Sequence, residues 1–191
     1  LTAGAAPSGA QGIVFTDGVA RLDTGSTPPP SEMTIFVAYK MNTGPAWSTI
    51  IEQNHDSHFA MRIVGCCGAT GDLNFHIQNN NSAPAVAPNY GAWHVVTGTQ
   101  SNAAQTTTMY MDGGTPQTTT GGSQVMSGAN AAIVIGRSSG GGSENLDGTI
   151  GEIRIYDRVL TAPERAAVEA AMQAKWVVVP PTPTVVVLST L

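Results

Sequence analysis

Apolar and polar residues alternate along several short stretches of this chain. Between positions 33 and 41 every second residue is apolar: Met33, Ile35, Val37, Tyr39 and Met41. The same period of two runs through 59–63, with Ala60 and Arg62 at the alternate positions, and through 73–78, where polar residues fill the alternate positions. Because successive side chains of a strand point to opposite faces, this period predicts strands rather than helices.

Turn residues separate the apolar stretches. The clearest breaks are Pro28-Pro29-Pro30, Asn79-Asn80-Asn81 and Gly140-Gly141-Gly142. The strands predicted between the breaks span 12–15, 18–22, 32–41, 47–54, 58–64, 73–78, 92–99, 105–111, 131–136 and 149–156. Many short strands at this spacing indicate an all-β sandwich of two sheets.

Two local signals refine the strand pattern. Ile153 and Ile155 alternate with charged residues, but Ile150 falls on the opposite parity. A bulge at Gly151 would bring all three isoleucines to one face, because a bulge inserts one extra residue into a strand. Asp112-Gly113 follows an apolar stretch and predicts a hairpin turn, since glycine accepts the positive φ that such turns need.

Residues 161–176 carry the signals of one helix. Thr161 and Glu164 have the spacing of a capping box, and Pro163 lies in the first turn, where its missing N–H costs nothing. Apolar residues then recur every four positions: Val168, Met172 and Trp176. A stripe of this kind is expected to pack on the sandwich.

The two ends of the chain differ from its body. Residues 1–11 are small and polar, and they predict an arm that precedes a domain spanning 12–176. Residues 177–191 form an apolar tail split by prolines, with Val177, Val178, Val179, Val185, Val186, Val187 and Leu188. An exposed, uncharged, β-branched segment tends to aggregate. The tail is therefore expected to pair with a sheet edge of its own domain or of a neighbouring subunit, with disorder as the remaining alternative.

Composition limits the class of partner. The 191 residues suffice for one domain, only 11% of them are charged, and the net charge is −5. Lys40 and Lys175 are the sole lysines, so no basic stripe is present for nucleic acid. No apolar run is long enough to span a membrane.

The cysteines and the first residue carry two further expectations. The adjacent Cys66 and Cys67 are expected to be free thiols. Leu1 in place of Met is typical of a processed product or a fragment.

The stretch from Leu146 to Thr161, with its Ile153-Arg154-Ile155-Tyr156 core, resembles the closing strand of the laminin G-like family, which is also called concanavalin A-like. Further stretches are similar to other strands of that family: 33–39, 91–96, 109–113 and 131–136. The resemblance covers about 12–176. It implies an antiparallel two-sheet jelly-roll sandwich with one short C-terminal helix. Its members include adhesion modules, glycan-binding modules, appendages of secreted enzymes and surface domains of virions, so the fold does not fix one activity.

No catalytic residue is predicted. Related sandwich enzymes cleave β-glucans with two glutamates on one strand, one acting as nucleophile and the other as acid. Glu52, Glu144 and Glu152 each lack a second glutamate at the required spacing. No phosphate-binding loop occurs either.

A metal site is not predicted, although calcium is left open. His55 and His58 stand three positions apart, but they have too few companions for zinc. Some relatives bind calcium through loop carboxylates, and Asp56, Asp72 and Asp147 could supply oxygens. No single loop concentrates three of them, and no cofactor is expected.

A polar sheet face is the best candidate for a ligand surface. If 58–64 pairs with 73–78, one face presents His58, Arg62, Asn74, His76 and Gln78. Planar hydrogen-bonding groups of this kind can recognise sugar hydroxyls. The alternative is an ordinary solvated sheet face.

Two functional hypotheses follow. The first is a non-catalytic structural protein of a virion surface, a capsid decoration or fibre-associated domain. It would act through contacts with other subunits and form a homo-oligomer or a larger assembly, as its neutral surface, arm and tail suggest. The alternative is a carbohydrate-binding module of a secreted or cell-surface protein. Both place the chain on a virion surface or outside the cell.

Overall fold

A computed structural model describes residues 2–16, 21–43, 47–54, 57–63, 71–78, 84–120, 125–126, 128–140 and 144–177. These residues form two antiparallel sheets and one helix. The predicted all-β jelly-roll sandwich with a short C-terminal helix is confirmed.

The strands, in chain order, are β1 (Thr2–Ala5), β2 (Gln11–Phe15), β3 (Leu22–Thr27), β4 (Glu32–Met41), β5 (Thr49–Gln53), β6 (Phe59–Ile63), β7 (Leu73–Ile77), β8 (Ala85–Val86), β9 (Trp93–Ser101), β10 (Thr106–Met111), β11 (Gln117–Thr120), β12 (Ala131–Ile135) and β13 (Gly148–Tyr156). The helix α1 spans Ala162–Trp176. One sheet has the order β1-β2-β13-β4-β9-β10-β11, and the other has the order β3-β12-β5-β6-β7-β8.

The main core lies between the two sheets. Alternate residues of β4, β6 and β7 enter it, as the period of two predicts: Met33, Ile35, Val37, Tyr39, Met41, Phe59, Met61, Ile63, Leu73, Phe75 and Ile77. All of these side chains are at most 1% exposed. Burial of apolar surface on this scale is the main favourable term in folding.

The bulge predicted in β13 is confirmed. Ile150 pairs with Tyr39, whereas Glu152 pairs with Ala38, so one residue of β13 is inserted between them. The inserted residue is Gly151. The bulge brings Ile150 and Ile153 onto the core face together.

The helix packs on the outer face of the seven-stranded sheet and closes a second core. Met172 and Trp176 are buried there against Phe36, Trp93 and Val95. The Trp93 and Trp176 rings lie 5.0 Å apart between centroids. The N-terminus of the helix is capped as predicted, because the Glu164 carboxylate accepts a hydrogen bond from the Thr161 backbone N–H at 2.9 Å. Strand β4 is therefore buried on both faces.

Some strands differ from the prediction. The strand predicted at 18–22 is instead β3, which begins at Leu22, and residues 17–20 lie outside the described residues. The arm predicted at 1–11 supplies β1, whose backbone pairs with β2. Strand β11 was not predicted, because it has no apolar residue and therefore shows no alternation of apolar and polar positions. Its threonines favour strands, and Thr118 shares a hydrogen bond with Thr108 at 2.9 Å.

The hairpin turn predicted at Asp112-Gly113 is confirmed. Both residues have positive φ, at 51° and 69°. The Gly114 N–H donates to the Met111 carbonyl across the turn at 2.9 Å.

The carboxylate of Glu152 joins β13 to the end of the helix. It accepts hydrogen bonds from Lys175 Nζ at 2.8 Å, Trp176 Nε1 at 2.9 Å and Arg154 Nε at 2.6 Å. Burial acts to raise the pKa of Glu152, but the hydrogen bonds from Lys175, Trp176 and Arg154 outweigh burial and lower this pKa to about 2. Arg158 lies outside this network and pairs with Glu164 at 2.8 Å.

We expect Glu152→Gln to remove part of the pH dependence of stability. Because the pKa of Glu152 is lower in the folded state, its carboxylate contributes fully to the free energy of unfolding above the ordinary pKa of 4.5. This contribution is lost as the pH falls towards about 2. At neutral pH the substitution should cost about 1–3 kcal/mol. Urea unfolding at several pH values between 2.5 and 7 measures both effects. Asp157→Asn, which removes an exposed carboxylate outside this network, is the control; parallel curves for wild type and Glu152→Gln would contradict the assignment.

Candidate functional site

The residues predicted as a ligand surface share one face of the six-stranded sheet. Pairing of β6 with β7 sets Arg62 opposite Asn74 and Ala60 opposite His76. The predicted exposure of this face is wrong. His58 is 0% exposed, Arg62, Asn74 and His76 are each 3% exposed, and Gln78 is half-buried.

Distant parts of the chain cover this polar face. Glu144 forms an ion pair with Arg62 at 3.4 Å, and the guanidinium carbon of Arg62 lies 5.0 Å from the centre of the Trp47 ring. At Gly128, even an added Cβ would lie only 3.5 Å from His58 Nε2. The sheet face is therefore an interior polar layer rather than an open surface.

Glu52 belongs to the same layer and ties a loop to the sheet. Its carboxylate is 0% exposed and accepts hydrogen bonds from the Ser139 N–H at 2.5 Å and from Ser138 Oγ at 3.3 Å. Because a buried carboxylate needs such donors, Glu52 fixes the path of the chain after β12.

A cavity of about 330 Å³ opens next to this loop. We call it the Arg21–Asn54 cavity, and its lining residues are Arg21, Asn54, Ala131, Ala132, Val134, Ser139 and Gly140. Val134 of β12 lies between Asp23 of β3 and Glu52 of β5 in the sheet register. The cavity therefore lies on the outer face of the six-stranded sheet, over its β3 edge.

Two planar polar groups line this cavity with hydrogen-bonding capacity to spare. Arg21 uses Nε to bind both carboxylate oxygens of Asp23, at 2.7 and 2.8 Å, and this hydrogen bond raises the pKa of Arg21. Its terminal amino groups form no hydrogen bond with the described residues. The side-chain amide of Asn54 is also without a partner there, although the Asn54 carbonyl accepts from the Ser57 N–H at 3.0 Å.

Sequence reasoning missed Arg21 and Asn54 as site residues. Asn54 carried one usable signal, because it ends an apolar stretch and asparagine tolerates the left-handed region, where its φ of 45° lies. Arg21 carried none. Its place beside residues 131–140 follows from pairing of β3 with β12, which are far apart in sequence.

The structure describes only some of the predicted metal ligands and of the tail. His55, Asp56, Cys66, Cys67 and 178–191 lie outside the described residues, and Val177 ends the helix with its N–H donating to the Gln173 carbonyl. Asp147 accepts hydrogen bonds from Asn42 Nδ2 at 3.1 Å and Thr43 Oγ1 at 2.8 Å. Among the described residues, no three histidine, cysteine, aspartate or glutamate side chains come together as a metal site. Calcium binding stays a prediction.

The described part of the chain holds no helix with the length and apolar character needed to cross a membrane.

His58 is a buried ring without hydrogen-bond partners. Neither ring nitrogen has a partner among the described residues, and burial lowers the pKa of His58 below its ordinary value of 6.5. The unfolded chain therefore binds a proton more readily, so stability is lost as pH falls below 6.5.

We expect His58→Leu to stabilise the protein and to flatten this dependence. Leucine of similar size leaves no unpaired nitrogen, so the gain at pH 7 should be about 1–2 kcal/mol and larger at pH 5. Thermal unfolding at pH 5, 6 and 7 is the measurement. A variant that keeps the wild-type slope over this range would show that His58 does not cause it.

Comparisons with known proteins agree with this architecture. The solved structure of a heptameric SAP-like pentraxin from Limulus polyphemus aligns at 18% identity with a TM-score of 0.63, covering 83% of this chain and 81% of that chain. The Ruminococcus gnavus IT-sialidase carbohydrate-binding module CBM40, bound to α2,3-sialyllactose, aligns at 16% identity with a TM-score of 0.63, covering 83% of this chain and 96% of that chain. No curated protein matches the chain in sequence.

The family assignment rests on sequence. Residues 14–164 match the laminin G-type family that is described as the concanavalin A-like lectin/glucanases superfamily. The match covers most of both sheets and the start of the helix. The chain belongs to the concanavalin A-like lectin/glucanases superfamily.

Proposed function

We propose that this chain is a non-catalytic carbohydrate-binding module that works outside the cell and holds a glycan in the Arg21–Asn54 cavity. The observation that carries the proposal is the pair of planar polar groups in that cavity. Arg21 offers two amino groups, and Asn54 offers an amide donor and an amide acceptor. Neighbouring hydroxyls of a sugar ring match such donors and acceptors.

The floor of the cavity suits a sugar ring as well. Ala131, Ala132 and Val134 supply small apolar surfaces beside the polar groups. Binding sites for small ligands combine an apolar lining with a few placed polar groups. A sugar has both kinds of surface, because its C–H groups lie between its hydroxyls.

Similar proteins support the same class of ligand. The Ruminococcus gnavus module has been solved with α2,3-sialyllactose bound, and nearly its whole length aligns with this chain. Lectins also give their name to the family that residues 14–164 match. Sequence reasoning ranked carbohydrate binding second, and these similarities favour it over a virion role. The virion-surface and assembly hypotheses stay untested predictions.

The carboxylates beside the cavity favour binding over hydrolysis. Glycosidases use two carboxyl groups that both reach the substrate. Asp23 is held by Arg21, and Glu52 is fully buried with its carboxylate bonded to Ser138 and Ser139. These contacts support binding rather than acid or nucleophilic catalysis by either group.

A glycan array, read with and without calcium, tests the proposal. Titration of the strongest glycan against Arg21→Gln should then show roughly tenfold or greater weakening, since a hydrogen bond to a charged group is worth about 1.5–3 kcal/mol. Asn54→Ala should show roughly two- to tenfold weakening, since a hydrogen bond between neutral groups is worth about 0.5–1.5 kcal/mol. Arg154→Gln is the matched control, because it removes an arginine from the other sheet. Binding should stay at the wild-type level in that variant.

Three outcomes would contradict this function. An array without binding under either condition would remove it. Unchanged affinity in both cavity variants would move the glycan elsewhere on the molecule. Release of sugar from the bound glycan over hours would show an enzyme.

A further inference from the structure

The edge of β13 changes character along its length. Its first part, Gly148–Ile150, pairs with β2 on one side and with β4 on the other. From Glu152 to Tyr156 it pairs only with β4 among the described residues. A strand edge of this kind presents backbone N–H and C=O groups that can accept another strand.

An apolar cleft runs beside this edge between the two sheets. Its two lobes measure about 160 Å³ and 330 Å³. Ile135 and Ile153 line the first lobe, and Ile133 and Ile155 line the second. Because these pairs are neighbours on β12 and β13, the lobes follow each other along the strand. We call this the lateral cleft.

The lateral cleft leaves large apolar side chains in contact with solvent. Ile155 is 41% exposed, and Ile13, which lines the first lobe, is 37% exposed. They are two of the four large hydrophobic residues that are exposed in the described part of the chain. Exposed apolar side chains along an unpaired strand edge are typical of a site that another segment covers.

We propose that residues 184–188 of this chain add a strand to the edge of β13 and fill the lateral cleft. The segment is Thr184-Val185-Val186-Val187-Leu188, which is uncharged and rich in β-branched residues. In an added strand, alternate side chains point to one face, so either Val185 and Val187 or Val186 and Leu188 enter the cleft. This inference is independent of the glycan function.

The end of the helix brings the chain to this edge. Trp176 lies so close over Gly151 that an added Cβ there would be 2.4 Å from its ring. Trp176 Nε1 also donates to Glu152 at 2.9 Å. The chain therefore leaves the helix at the residue where the unpaired part of β13 begins.

The linking segment has the required reach. Residues 178–183 include Pro180, Pro181 and Pro183, which favour an extended backbone with a rise of about 3.1 Å per residue and a reach of roughly 19 Å. The unpaired part of β13 is roughly 13–17 Å long. The segment can thus pass over the edge and reach either end. So short a tether also favours the chain's own cleft over that of a second copy.

Hydrogen exchange on the full chain tests the inference. Backbone amides of 152–156 should be protected in wild type, and those that point away from β4 should exchange at least tenfold faster in Val186→Asp or in Val187→Asp. Ser189→Asp adds the same charge beyond the proposed strand and should leave the exchange unchanged. Ile155→Asp, which alters the cleft itself, should reproduce the faster exchange.

The outcomes separate the possible occupants. Exchange that is equal in wild type and in all variants would overturn the inference. Protection that rises with protein concentration, together with the mass of a dimer, would assign the cleft to a second copy and would also overturn it. Glycan affinity should be the same in Val186→Asp, Val187→Asp and wild type, so failure here is distinct from failure of the proposed function.

Discussion

Replacing Gly136 with alanine is expected to lower the free energy of unfolding by about 2–5 kcal/mol. Gly136 has a φ of 82°, where a side chain costs energy. An added Cβ would also lie 2.1 Å from the ring of Phe15, which is 1% exposed and fixed in the core. The backbone cannot shift freely, because Gly136 bonds Ile50 through its N–H and Leu146 through its carbonyl.

Gly9→Ala separates the cost of the positive φ from the cost of the contact with Phe15. Gly9 has a φ of 83°, but an added Cβ there would meet no atom within 4 Å. It should therefore show the backbone cost alone, about 1–2 kcal/mol. Urea unfolding of both variants gives the comparison. Equal losses would mean that contact with Phe15 contributes nothing.

Gly136 also links the core to the proposed glycan site. The chain runs from Gly136 directly into Ser138 and Ser139, which bind Glu52, and then into Gly140 at the cavity. A shift at Gly136 should thus weaken glycan binding along with stability.

Replacing Trp176 with alanine is expected to lower the free energy of unfolding by about 3–5 kcal/mol. The side chain is 1% exposed, packs on Trp93 and lies over Gly151. It is the last large contact of the helix with the seven-stranded sheet. Its loss should free the end of the helix and remove a hydrogen bond from Glu152.

Trp176→Phe divides this cost into two parts. Phenylalanine keeps most of the packing but removes Nε1, so it should cost about 1–2 kcal/mol. Chemical unfolding monitored by circular dichroism measures both variants. If Trp176→Ala cost no more than Trp176→Phe, packing of the helix on the sheet would not stabilise the fold.

Alternation and capping signals predicted most of the architecture. The apolar positions of 33–41 reach the core, and Ile150 and Ile153 required the bulge at Gly151 that β13 contains. The helix begins at Ala162, directly after its N-cap Thr161, and packs the predicted stripe against the sheet. These features depend on residues close in sequence, so local pattern suffices for them.

The site could not be predicted in the same way. The polar positions of 58–62 and 74–78 follow a solvent-facing pattern, yet Trp47, Gly128 and Glu144 cover that face. Which loop folds over which sheet face depends on long-range contacts, which a period of two does not encode. The Arg21–Asn54 cavity likewise arises where three distant segments meet.

Chemical-shift mapping with the strongest glycan tests the central claim most directly, namely that a sugar binds on the outer face of the six-stranded sheet. The expected result is a set of shifts confined to residues that line the cavity, with the largest at Arg21, Asn54 and Ser139. Shifts centred on the opposite sheet, or on the end of the sandwich around Gln53 and Tyr156, would contradict it.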